Sequence, residues 1–196
     1  MYMASRAVAS GAADCVLALG FEKMYKGPLK SFFTDRADPV GKFVEHDERL
    51  RGTDTSPWAV RVFANAGLEH MEKYGTTLDH FAKIAEKNHK HASNNPNSSF
   101  RKVYSLQEIK DSPMIHSPVQ LLACCPNADG AAAAVICSED FVRRHGLENQ
   151  AVEICGVSLK TDSPNTFGRS SIDLIGGSMA KSAANEAYQM AGVTPD

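Results

Sequence analysis

An α/β protein of layered helices and sheets is the architecture that this 196-residue sequence points to. Short, continuous apolar runs are bounded by turn residues, at Cys15–Leu19, Val119–Ala123, Ala131–Cys137 and Ala151–Leu159. Such runs suit strands covered on both faces. Between them lie stretches whose apolar residues recur at helical spacing, and the alternation of the two patterns is that of an α/β chain. With 43% hydrophobic and 22% charged residues, the chain has the composition of a folded domain.

Taken in order, Met1–Ser10 reads as the end of a helix with Gly11 near its C-cap, so the sequence is expected to open part-way through an element. Cys15–Leu19 follows as a buried strand ending at Gly20. Glu22–Pro57 is rich in Lys, Asp, Gly and Pro, with scattered aromatics such as Phe32, Phe33 and Phe43. It shows no sustained period and is expected to be an extended excursion. Val60, Phe63, Ala64, Gly67, Leu68, Met71 and Tyr74 then form a helical stripe closed by Gly75. Thr76 and Asp79 resemble a capping box for a helix carrying Phe81, Ile84, Ala85 and Asn88 inward, which ends near Asn94-Asn95-Pro96. Ser105 with Glu108 predicts another short helix. Val119–Ala123 and Ala131–Cys137 are expected as strands flanking a Pro126–Gly130 turn. Small residues in the second suggest that something packs close to it. Ser138 is expected to cap a helix through Arg144, closed by Gly146, and Ala151–Leu159 to be a third strand. Ser163–Gly177 reads as a loop. Ser178 then caps a helix with a narrow stripe at Ala180, Ala183, Ala184, Ala187 and Ala191, closed by Gly192.

A formal net charge of -2 argues against a general nucleic-acid or membrane-surface binder. No apolar run approaches the roughly 18 residues of a membrane span, and Met1–Ser10 lacks the apolar centre of a signal peptide. Five cysteines, at 15, 124, 125, 137 and 155, form no CxxC and are odd in number, which favours unpaired thiols in a reducing compartment. Cys124-Cys125 has no evident helix N-terminus or cation to activate it, so the pair reads as structural or as one thiol lining a pocket. Lys87-Asn88-His89-Lys90-His91 is basic, with three lysines and one glutamate across 83–91. It suits either a phosphate or a solvated helix end. Two histidines two positions apart point to different helix faces, which makes a poor metal site. Gly176-Gly177-Ser178 before a helix suits an anion or a plain turn and N-cap. No metal centre and no complete catalytic set follows from these residues.

Several segments, in order and across essentially the whole chain, resemble the thiolases, and within them the sterol-carrier type more than the biosynthetic acetoacetyl-CoA type. They are Gly11-Ala-Ala-Asp-Cys-Val-Leu-Ala-Leu-Gly-Phe-Glu-Lys-Met24, His70-Met-Glu-Lys-Tyr-Gly75, Phe81-Ala-Lys-Ile84, Lys87–His91 with Asn94-Asn-Pro96, Cys124-Cys-Pro126, Asp129-Gly-Ala-Ala-Ala-Ala134 and Ala191-Gly-Val-Thr-Pro-Asp196.

The resemblance implies a layered αβαβα fold, incomplete here, with an inserted loop lobe. First-half core would occupy 1–26, the lobe 27–118, the remaining first-half core 119–162 and the start of the second half 163–196. It implies Claisen-type acyl transfer in lipid metabolism, with a 3-ketoacyl-CoA cleaved by a second CoA through a cysteine thiolate and an acyl-enzyme. CoA and acyl-CoA are then substrates, no other cofactor is called for, and the complete enzyme is a homodimer. The compartment would be the peroxisome in a eukaryote, although Thr194-Pro195-Asp196 is not a peroxisomal address, and the cytoplasm otherwise. The family's nucleophile segment would precede Met1 and its His-Asp-Cys-Phe and Gly-His-Pro segments would follow Asp196. No catalytic residue is therefore assigned here, and this chain alone is expected to be inactive. For substrate binding, Phe63 falls near a pantetheine-facing position, or else is core of its helix. Cys125 falls near a small CoA-contacting residue, or else simply packs. The competing reading is a non-catalytic protein that binds acyl-CoA, lipid or a thiolase partner.

Overall fold

A computed structural model describes residues 1–24 and 33–195. The elements run α1 (Tyr2–Ala9), β1 (Cys15–Glu22), α2 (Gly41–Arg51), α3 (Trp58–Tyr74), α4 (Leu78–Ala92) and α5 (Leu106–Lys110). They continue with β2 (Met114–His116), β3 (Val119–Gln120), β4 (Gly130–Cys137), α6 (Glu139–Arg144), α7 (Ser171–Leu174) and α8 (Gly177–Ala191). The chain is thus α/β in class. It divides into two compact units, and the expected 26/27 boundary, like Phe32, lies outside the described residues.

The first unit comprises 1–24, 128–161 and the chain from Met179. Gly11, at φ +73°, ends α1 as expected and lets the chain turn into β1. β1 pairs antiparallel with β4 from Cys15↔Cys137 to Glu22↔Gly130. α1 packs on both strands. Val16, Ala18, Ala134 and Ile136 turn to one side, half-buried or buried. Leu17, Leu19, Phe21 and Val135 turn to the other and are exposed. The expected strand buried on both faces is therefore corrected. The continuous apolar run feeds two faces, as period-two geometry demands, but only one is covered among the described residues. Most of the small residues of β4 are exposed among the described residues.

The expected strand at Ala151–Leu159 is also corrected. The segment has no ladder partner among the described residues, and β-propensity without a partner does not make a strand. It lies instead against α8, where the half-buried Ala183, Ala184, Ala187 and Ala191 bear out the small stripe; Ala180 is exposed. Ser158 Oγ donates to Glu186 at 2.8 Å, and Lys160 pairs with the same carboxylate. Ser138 caps α6 by accepting from the Phe141 N–H at 3.2 Å, as its sequence signals predict.

The second unit comprises the described residues 33–127 together with 162–178. α2 lies inside the stretch expected to lack regular structure. It has few apolar residues, and its one buried position is Asp47, so hydrophobic periodicity had nothing to register. α3 ends at Gly75 in the left-handed region, φ +69°, as expected. α4 is capped one residue later than expected, by Thr77 with His80. Its inward face is Phe81, Ala82, Ala85 and His89, while Ile84 and Asn88 are exposed. Ala82, Ala85 and Ile109 form a small core against which Tyr104, Leu106 and Leu122 pack. The Ser105–Glu108 capping box holds α5 in both directions. Of the expected strand 119–123 only Val119–Gln120 pairs, with β2, and Leu121–Ala123 closes into a 3₁₀ turn. α7 is a short helix within the expected 163–177 loop.

Candidate functional site

The most buried polar chemistry of the second unit lies where α2 meets α3. Asp47 is fully buried, and Arg61 and Asn65, four apart on α3, reach it together. Arg61 Nε donates to Asp47 at 3.2 Å and its Nη2 to Glu48 at 2.8 Å. Asn65 Nδ2 donates to both Asp47 oxygens, at 2.9 and 3.1 Å. The Asn65 Oδ1 lies 3.3 Å from His116 Nε2 at the end of β2, and His116 Nδ1 lies 2.8 Å from Asp54. The Ser56 N–H holds the Asp54 carboxyl below its ordinary pKa, with further help from the Ser56 hydroxyl and His116.

Ser56, His116 and Asp54 are the residue types of a nucleophilic triad, but not its geometry. A triad needs its serine and carboxylate on opposite imidazole nitrogens. Here both meet Nδ1, and the Ser56 hydroxyl donates to the Ile115 carbonyl at 3.1 Å. The network holds α2, α3 and β2 together. No sequence signal marked it, because its members are polar residues from separate segments.

The residues singled out from sequence fall in several places. Phe63 lies on α3 and is 61% exposed among the described residues. Cys125 is exposed just beyond the 3₁₀ turn. Cys124 beside it is half-buried, and its Sγ donates to the Gln120 carbonyl at 3.5 Å. Burial, and then the neighbouring Cys125, push the Cys124 thiol up. Less thiolate means slower alkylation. Iodoacetamide near neutral pH should therefore modify Cys125 several-fold faster than Cys124, as peptide mapping over time will show. Equal rates would contradict this environment.

The basic run on α4 divides. Lys87, Lys90 and His91 line an open groove of about 650 Å³ with Tyr104. His89 instead bonds the Leu122 carbonyl at 3.0 Å and meets the Tyr104 ring edge-on at 4.9 Å. Glu86 and Glu108 also line the groove, and both accept backbone N–H groups, from Leu106 at 3.2 Å and Ser105 at 2.8 Å. At the other sequence candidate, the start of α8, the chain's own Asp173 takes the anion position. The Ser178 N–H donates to it at 3.2 Å, and the Ser178 hydroxyl donates to the same oxygen. Among the described residues no group of three His, Cys, Asp or Glu could hold a metal ion, and no helix is long and apolar enough to cross a membrane.

No protein-family model matches the sequence. The whole chain is 50% identical to sterol carrier protein 2 of Bos taurus, covering 36% of that protein. Over 96% of its length it is 31% identical to an acetyl-CoA acetyltransferase of Methanothermobacter thermautotrophicus, covering 46% of that protein. The chain is thus similar, along essentially its whole length, to proteins of the thiolase superfamily. Among solved structures, the Ltp2-ChsH2(DUF35) aldolase matches 97% of the chain and 47% of its own, with a TM-score of 0.68 at 20% identity, which bears out the thiolase-like fold. The 50% identity to sterol carrier protein 2 also bears out the sterol-carrier leaning of the motifs. The chain thus spans about a third of the sterol carrier protein and about half of the acetyltransferase.

Proposed function

We propose that this thiolase-superfamily chain supplies the acyl-CoA- and CoA-contacting part of a thiolase-type acyltransferase in lipid metabolism, and does not by itself cleave 3-ketoacyl-CoA. The 50% identity along its whole length to a sterol carrier protein 2 carries the reading. Thiolysis needs an activated cysteine thiolate to attack the keto carbon. The half-buried Cys124, whose thiol is pushed up, is the reverse of one. What the chain offers is contact: the exposed ring of Phe63 is an apolar surface for a pantetheine arm, and the exposed Cys125 leaves room for a thioester chain.

The test is titration of the purified chain with CoA and with a 3-ketoacyl-CoA by calorimetry, alongside a thiolysis assay on the same sample. The expected result is saturable binding of the CoA compounds, no turnover, and about tenfold weaker binding for Phe63→Ala, the effect of losing part of an aromatic contact. Turnover by the isolated chain would overturn the proposed inactivity. Binding of a fatty acid or sterol with none of CoA would replace this reading with the lipid-binding one.

A further inference from the structure

Cys15 opens β1 and Cys137 closes β4, and the antiparallel register sets them directly opposite one another. Neither enters the proposed function. In an antiparallel ladder, opposed pairs alternate between hydrogen-bonded and non-hydrogen-bonded, and the latter bring their Cα atoms to about 4.5 Å with side chains closest. The next pair outward is Asp14 and Ser138, whose N–H donates to the Asp14 carbonyl at 2.9 Å. That is a hydrogen-bonded pair, so Cys15 and Cys137 form a non-hydrogen-bonded one. Their spacing falls in the range of about 4.4–6.8 Å that a disulfide spans. Opposed residues share a face, here the uncovered face of Leu17 and Val135. Both thiols are free, with Cys15 exposed and Cys137 half-exposed. Arg144 reaches back to Asp14 at 2.7 Å and holds this end of the ladder together.

We propose that Cys15 and Cys137 are an oxidisable dithiol that closes to a cross-strand disulfide with a peroxide and reopens with a thiol reductant. One thiolate attacks the peroxide; an S–O bond forms, the O–O bond breaks, and hydroxide leaves to be protonated to water. The second thiolate then attacks the sulfenic sulfur. The S–S bond forms, the S–O bond breaks, and a second hydroxide leaves as water. Two electrons pass from the sulfurs to the peroxide. The adjacent Cys124 and Cys125 are a poorer pair, because neighbours in sequence do not reach disulfide geometry without backbone distortion.

The test treats the reduced full chain with equimolar hydrogen peroxide, blocks remaining thiols with iodoacetamide, and maps peptides without reduction. The expected product is monomeric, lighter by two hydrogens, with the Cys15 and Cys137 peptides joined and released by dithiothreitol. Its urea midpoint should rise and return on reduction. Cys15→Ser and Cys137→Ser should each abolish the joined peptide and the midpoint shift while keeping the circular dichroism of the native chain. Oxidation confined to other cysteines, with Cys15 and Cys137 still alkylated, would overturn the proposal. So would a Cys15–Cys137 link found only between two chains.

Discussion

Asp47→Ala is expected to lower the stability of the second unit by about 3–5 kcal/mol, the effect of removing one partner from a buried ion pair. Asp47 is fully buried and Arg61 nearly so. The carboxylate accepts from Arg61 and doubly from Asn65, so its loss strands a guanidinium and an amide without water to replace it. Glu48, itself partly exposed, still meets the far end of Arg61 and offsets only part of that loss. Urea denaturation of the variant measures the change. Adding Arg61→Met should recover part of the stability, because an apolar side chain of similar length leaves no buried charge unpaired. A change under about 1 kcal/mol for Asp47→Ala, or none recovered in the double variant, would contradict an ion pair shielded from water.

How far this architecture was legible depends on what kind of signal each element carries. Local signals transferred directly. The Ser105–Glu108 and Ser138 caps, and the left-handed glycines 11, 75, 146 and 192, sit where side-chain and backbone chemistry require them. Tertiary facts did not transfer. α2 was missed because Asp47, not an apolar stripe, anchors it. Apolar content alone could not show that, among the described residues, β1 is open on one face and 151–159 finds no strand to pair with. The roles of Phe63 and Cys125 came from family resemblance alone: periodicity put Phe63 in the apolar stripe of α3, where its ring is in fact exposed, and a lone exposed thiol leaves no pattern at all. The Asp47–Asn65–His116 network was invisible for a related reason. Its members are far apart in sequence and polar, and only the packing of α2, α3 and β2 brings them together.

The stripe of alanines on α8 makes the sharpest packing prediction in the first unit. A Cβ placed on Gly156 would lie 2.3 Å from the Ala187 carbonyl oxygen and 3.3 Å from the Ala191 Cβ. The first obstacle is backbone, so no rotamer change relieves it. Gly156→Val should therefore cost about 1–3 kcal/mol, the range for overpacking that is relieved by movement of the segment. The segment has somewhere to go: among the described residues it has no ladder partner, and its ties to α8 include the Ser158 and Lys160 contacts with Glu186. The expected result is local detachment, seen as faster amide exchange across 151–160 with β1 and β4 still protected. Because the clash begins at the Cβ, Gly156→Ala should show most of the effect. Because the obstacle is a carbonyl, adding Ala187→Gly should not rescue it. Unchanged exchange in Gly156→Ala, or rescue by Ala187→Gly, would mean that segment and helix do not meet backbone to backbone.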